Sequence, residues 1–160
     1  MFVEYSLLPE NAKVWIYPSS RKFYSTEIET IENKISHFIE HWKSEDENFK
    51  ACFKFLYNRF IVLFADDATS PLKNQEIDAS VAFILELQNT YNVDLLDKMN
   101  VCFKQGEYVQ YKELKDFKKL LKTNTLTKKT LVFDNLITNK QDFDSFWEIP
   151  LEESWYQRFL

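Results

Sequence analysis

Glycine is almost missing from this chain. Gly106 is the one glycine in 160 residues, where an average usage of about 7% gives roughly eleven. Phosphate loops and dinucleotide fingerprints set several glycines at fixed spacing so that backbone N–H groups can close on phosphate oxygens. No segment here can supply that, and turns that need positive φ must be built from Asn, Asp or Ser. Histidine is confined to His37 and His41, and cysteine to Cys52 and Cys102. Isolated cysteines without CxxC spacing indicate neither a zinc site nor a disulfide framework, so each reads as a small buried hydrophobe on a strand. The longest strongly apolar run, Phe60 to Ala65, falls far short of the roughly 20 residues that cross a bilayer. Met1 to Glu10 has no basic start and no long apolar core, unlike a secretory signal. These absences point to a cytoplasmic protein without a membrane span, and they indicate no cofactor.

What is present suits a packed interior. Hydrophobic residues make up 45% of the chain and aromatics 17%, with 15 Phe, far from the composition of disordered chains. A chain of this length buries roughly two-thirds of its unfolded surface. With no repeat, linker or low-complexity stretch, residues 1–160 read as a single domain. The net charge of −5 is unevenly spread: residues 1–97 carry 9 basic and 16 acidic side chains, whereas residues 98–130 carry 9 Lys against Glu107, Glu113 and Asp116.

Lys13 to Tyr17 is a β-prone run stopped by Pro18. Ser25 or Thr26 is placed to cap a helix in which Ile28, Ile31, Ile35, Phe38, Ile39 and Trp42 form one apolar stripe. Phe49 to Tyr57 and Phe60 to Asp66 read as a hairpin around Asn58-Arg59. Asp78 is placed to cap a second helix running to Tyr91, whose apolar residues cover roughly 200° of its circumference, so it is either sandwiched in the core or covered by a partner chain. Asp94 to Lys98 reads as a short helical turn before a strand at Val101 to Lys104, a turn at Gln105 to Glu107 and a returning strand at Tyr108 to Tyr111. A third helix is expected over Glu113 to Lys122, a strand over Thr130 to Phe133 and a closing helix over Lys140 to Trp147. The fold class expected is α+β: an antiparallel sheet with helices mainly on one face, a ferredoxin-like β-α-β-β-α-β start and a C-terminal α/β extension.

Four features bear on chemistry. His37-Phe-Ile-Glu-His41 matches the HxxEH pattern of inverted zinc peptidases, but its periodicity puts both imidazoles opposite the apolar stripe, and the chain has no third histidine. Asp66 and Asp67 end a strand, with Asp78, Asp94 and Asp97 in later segments; carboxylates converging there would suit Mg²⁺ and phosphorylated substrates, while capping and solvation explain each singly. Lys112, Lys115, Lys118, Lys119 and Lys122 fall on one flank of the third helix, where they would serve an anionic partner. The acidic remainder of the chain repels polyanions, which disfavours nucleic acid. Trp147, Trp155, Tyr156 and Phe159 either close the core or present a partner surface.

Leu8-Pro-Glu-Asn-Ala-Lys-Val-Trp-Ile-Tyr17, Tyr57-Asn-Arg-Phe-Ile-Val-Leu63, Ile77-Asp-Ala-Ser-Val-Ala-Phe-Ile84 and Val93-Asp-Leu-Leu-Asp97 resemble a family of short bacterial proteins. So do Phe103-Lys-Gln-Gly-Glu107, Asp116-Phe-Lys-Lys119 and Ser154-Trp-Tyr-Gln-Arg-Phe-Leu160, and the resemblance spans nearly the whole chain. Family members are often labelled "ABC transporter ATPase". That activity requires a glycine-rich loop with Gly-Lys-Ser/Thr and a strand ending in Asp-Glu. This chain offers only Val62-Leu-Phe-Ala-Asp-Asp67 as an echo of the second, so the label transfers no catalytic residue. The expectation is a non-enzymatic binding or interaction module, with a homodimer or a protein partner as its counterpart. The alternatives are a Mg²⁺-dependent enzyme using Asp66 and Asp67, and weak nucleic-acid binding along the lysine flank.

Overall fold

A computed structural model describes residues 1–160. The chain is α+β. Its elements are β1 (Lys13–Pro18), α1 (Ser25–His41), β2 (Lys50–Leu56), β3 (Phe60–Asp66), α2 (Asn74–Tyr91), β4 (Val101–Gln105), β5 (Tyr108–Lys112), α3 (Leu114–Lys122), β6 (Leu131–Phe133), α4 (Lys140–Phe146) and β7 (Glu148–Pro150). Short 3-10 turns lie at Tyr5–Leu7, Leu151–Glu153 and Trp155–Phe159.

The first six elements follow the expected order, and β3 inserts between β1 and β2, antiparallel to both, as a split βαβ requires. The fourth strand departs from the ferredoxin-like plan. β4 does not line up beside β1 but opens a second antiparallel sheet of order β5-β4-β6-β7. The place beside β1 is taken: Val14 N–H donates to the Thr138 carbonyl at 3.0 Å and Lys140 N–H to the Ala12 carbonyl at 2.9 Å. The C-terminal extension therefore supplies a second sheet as well as helices.

Side-chain alternation then sorts the molecule into layers. On β3, Ile61, Leu63 and Ala65 face α1 and α2, while Phe60, Val62 and Phe64 face the other way. Both sets are fully buried, which is why this strand reads as a continuous apolar run. The second set meets Cys102 and Phe133 from the second sheet, with Phe143 and Trp147 from the α4 region. The outer face of the second sheet, Val101, Phe103 and Val132, packs on Phe117 of α3, Leu126 and Leu151. The order is helices, sheet, sheet, helix, with an aromatic layer between the sheets.

Several local expectations shift. α2 begins at Asn74 and Asp78 does not cap it; Glu76 instead folds back to accept the Lys73 N–H at 2.8 Å. α1 begins at Ser25 itself, with Glu27 reaching back to the Tyr24 N–H at 2.8 Å. The stretch 94–98 is not helical, because Asp97 spends its carboxylate on the Met99 N–H and the Asn100 amide. The β2–β3 hairpin turns on Tyr57 and Asn58, both at positive φ, one position earlier than Asn58-Arg59. In the wide apolar arc of α2, Ile84 and Leu87 are buried, Ile77, Phe83 and Tyr91 are half-buried, and Val81 and Leu85 face solvent.

Candidate functional site

The residues singled out by sequence land in three separate places. Asp66 and Asp67 lie at the end of β3, where Asp66 accepts the Ala68 N–H at 3.2 Å and Asp67 pairs with Lys13 at 2.7 Å. Asp78 is exposed on α2, and nowhere do three His, Cys, Asp or Glu side chains meet in a group able to hold a metal ion. His37 and His41 lie with ring centroids 4.3 Å apart, tilted by 31°, on the exposed side of α1, with His41 Nδ1 bonded to the His37 carbonyl at 2.9 Å. They border a groove of about 510 Å³ between α1 and α2.

Four of the five lysines of the expected flank, Lys115, Lys118, Lys119 and Lys122, lie on α3, away from the buried Phe117, whereas Lys112 is not on the helix but ends β5, because the strand runs to that residue before the chain turns into α3. The five differ in their surroundings. Lys115 pairs with Glu113 at 3.4 Å, and Lys118 lies over the Phe159 ring at 4.3 Å. Lys112, Lys119 and Lys122 are exposed.

A different region gathers chemistry that periodicity did not reveal. A pocket of about 280 Å³ opens where β6 ends, beneath the C-terminal aromatic turn, and draws on the 98–100 loop, the start of α3, Val132 to Leu136 and Ser154 to Tyr156. Ser154 shapes one wall: its hydroxyl accepts the Tyr156 N–H at 3.1 Å and donates to the Leu151 carbonyl at 2.8 Å. That cap turns the Tyr156 ring onto Phe117 at 5.3 Å and leaves Trp155 at the surface, its ring covered on one side by Arg158 at 4.1 Å. Asn135 sets the floor. Its amide oxygen accepts from Trp147 Nε1 at 3.0 Å and its nitrogen donates to Cys102 Sγ at 3.5 Å, so this buried side chain is bonded at both ends.

The groups left free are Asp134 and Tyr156. One Asp134 oxygen accepts the Leu136 N–H at 3.1 Å and the other has no protein donor. The Tyr156 hydroxyl bonds to no protein group and is not sealed off, and the residue lines this space. Burial pushes its pKa up to about 12, with the charges of Cys102 and Asp134 adding to the effect, so at neutral pH it is a proton donor. Lys98 also borders the pocket, but its ammonium sits over the Tyr17 ring at 5.3 Å, and burial lowers its pKa. The rim carries Met99, Leu136 and Trp155, which are 81%, 66% and 53% exposed.

Both thiols are poor nucleophiles here. Burial pushes Cys52 up to about 11 and Cys102 up to about 12, so neither offers a thiolate near neutrality. Sequence had marked the aromatic tail, and Trp147 proves to be interior while Trp155 is at the surface. Met99, Leu136 and Asp134 carried no periodic signal, because they sit in irregular segments that only the fold brings together. No helix is long and apolar enough to cross a membrane. No family model matches the chain, and no curated protein or solved structure is significantly similar to it, so the reading of function rests on the chain's own residues.

Proposed function

We propose that the protein is a non-enzymatic binding module of the cytoplasm whose recognition site is the pocket under Trp155. One observation carries this reading. Three exposed large apolar side chains, Met99, Leu136 and Trp155, ring a single cavity that is also lined by Asp134, with one free carboxylate oxygen, and by Tyr156, whose hydroxyl has no protein partner. Apolar walls with a few convergent polar groups are the general form of a ligand site. The occupant that fits is a small ring-bearing amine: its ring lies against Trp155 and Met99, and its N–H group donates to Asp134. The high thiol pKa values, the ion-paired Asp67 and the unassisted histidines support binding without catalysis. Two free buried cysteines suit a reducing compartment.

Thermal shift with a panel of aromatic and aliphatic amines, matched against the corresponding carboxylates and alcohols, tests this. A ligand at 100 times its Kd adds about 2.7 kcal/mol, several degrees for a domain of this size. Amines should raise Tm and change Trp emission in the wild type, and Asp134→Asn should abolish the shift while keeping the circular dichroism spectrum. A panel in which carboxylates bind and amines do not, or in which Asp134→Asn responds like wild type, would overturn the assignment.

A further inference from the structure

The outer strand of a sheet displays unpaired N–H and C=O groups that invite another strand, and folded proteins guard such edges. Three of the four edges here are guarded, each by a different device. β1 is closed by the bonds to Thr138 and from Lys140 already described. β2 is covered at its start, where Val3 N–H donates to the Ala51 carbonyl and Ala51 N–H to the Met1 carbonyl, both at 3.0 Å, and Lys50 and Lys54 place charge along it. β7 has three residues and ends in Pro150.

β5 is the least guarded, with one charge, Lys112, at its far end. Tyr108–Lys112 contains no proline, pairs with β4 on one side only and makes no backbone hydrogen bond on the other. The β4–β5 connection is the two-residue turn Gly106-Glu107, with the only glycine of the chain at φ +62. Such a turn makes Gln105 and Tyr108 the closing bonded pair. By alternation Tyr108, Gln110 and Lys112 direct their backbone groups to β4, and Val109 and Tyr111 direct theirs to solvent.

We propose that this edge binds a second copy of the chain, β5 against β5 in antiparallel register about a two-fold axis at Gln110, fusing the two four-stranded sheets into one. The strand is complementary to itself in this register. Val109 of one copy opposes Tyr111 of the other, and these are the residues whose N–H and C=O groups point outward, so both pairs complete their bonds. Tyr108, 72% exposed, opposes Lys112 of the second copy, giving a ring–ammonium contact on each side of the axis. Lys112 is the only formally charged residue in the strand and meets no like charge within it. A two-fold interface needs this reciprocity, in which residue i meets j and j meets i. The surface is independent of the pocket and stands or falls separately.

Sedimentation of the full chain over a wide concentration range tests it, with two variants at Gln110. Wild type should show a concentration-dependent dimer. Gln110→Lys sets two ammonium groups against each other on the axis and should weaken the dimer by about tenfold or more, with the circular dichroism spectrum and Tm unchanged. Gln110 on the axis is a non-bonded pair, where Cα atoms approach to about 4.5 Å. Gln110→Cys should therefore yield a disulfide-linked dimer on mild oxidation, since Cys52 and Cys102 are buried. A wild-type chain that stays monomeric throughout, or a Gln110→Lys variant that dimerises as strongly as wild type, overturns the proposal.

Discussion

The interior holds ionisable groups in their neutral forms, and this gives stability a pH dependence with a definite sign. Cys102 is enclosed between the sheets and Cys52 lies on the same layer; burial raises their pKa values to about 12 and about 11. Tyr17 and Tyr156 are likewise raised to about 12, mainly by burial. In the unfolded chain a thiol ionises near pH 8.5 and a tyrosine near 10. Above those values the native state holds more protons than the unfolded state, so stability is full below about pH 8.5 and falls as pH rises toward 12. Urea midpoints measured from pH 8 to pH 11 should decrease steadily at constant ionic strength. A flat profile would mean that these side chains are solvated in the folded protein. Lys140, also buried, donates from its ammonium to the Tyr5 and Leu8 carbonyls at 3.0 and 2.7 Å and lies over the Tyr5 ring, so it closes two otherwise open carbonyls at the N-terminal turn.

Glycine scarcity leaves its mark on the elements. Left-handed backbone is taken by Asn58, Asn92, Asn124 and Tyr57 as well as Gly106, so the substitution of Asn for Gly was legible from composition while Tyr57 was not. A tyrosine there is tolerated because its ring packs on Phe133 and Trp147, its hydroxyl bonds Glu148, and the Lys104 ammonium covers its face. The hairpin is thereby anchored to the second sheet. Asn92 ends α2 at φ 53, with its N–H on the Gln88 carbonyl. Replacing it with Ala places a Cβ in the left-handed region and should destabilise the protein by about 1 kcal/mol, whereas Asn92→Gly should be neutral or slightly stabilising. Equal urea midpoints for the two variants would show that the cap conformation is not held in solution. Strands β1 to β6 were legible to within a residue at each end, β3 to the residue, since its six apolar positions leave no helical alternative of adequate length, whereas the three-residue β7 was not foreseen. Among the helix starts that of α2 was the one missed by a full turn: Asp78 competed as a cap, and the fold-back of Glu76 onto Lys73 depends on a backbone geometry that residue type alone does not fix.

At the scale of the whole molecule, sequence supplied the α+β class and the order of elements but not their division between two sheets. Local pattern cannot choose between β4 and the 138–140 segment as the neighbour of β1, because both are short and the decision lies in the layer behind them. The same holds for the pocket, whose walls come from four segments distant in sequence and whose exposed rim of Met99 and Leu136 looks like ordinary loop. That hidden layer sets how the molecule unfolds. Phe60 meets Phe133 at 4.8 Å and Trp147 at 5.0 Å, Phe64 meets Phe143 at 5.2 Å, and Phe143 stacks on Trp147 at 4.9 Å. Each buried ring contributes about 1.5–3 kcal/mol from burial alone; the contacts of Phe60 and Phe64 join the first sheet to the second sheet and to the α4 region, and the Phe143–Trp147 stack ties that region together. Neither sheet can shed its partner without exposing several rings at once, so the two should unfold as one cooperative unit. Far-UV circular dichroism, dominated by α1 and α2, and fluorescence of a variant retaining Trp147 as its only tryptophan should give coincident urea transitions. Phe133→Ala should lower both midpoints together by an amount equivalent to about 3–5 kcal/mol. If fluorescence of Trp147 changes first while the helical signal persists, the first sheet with α1 and α2 is stable alone, and the aromatic layer is a docking contact between two units.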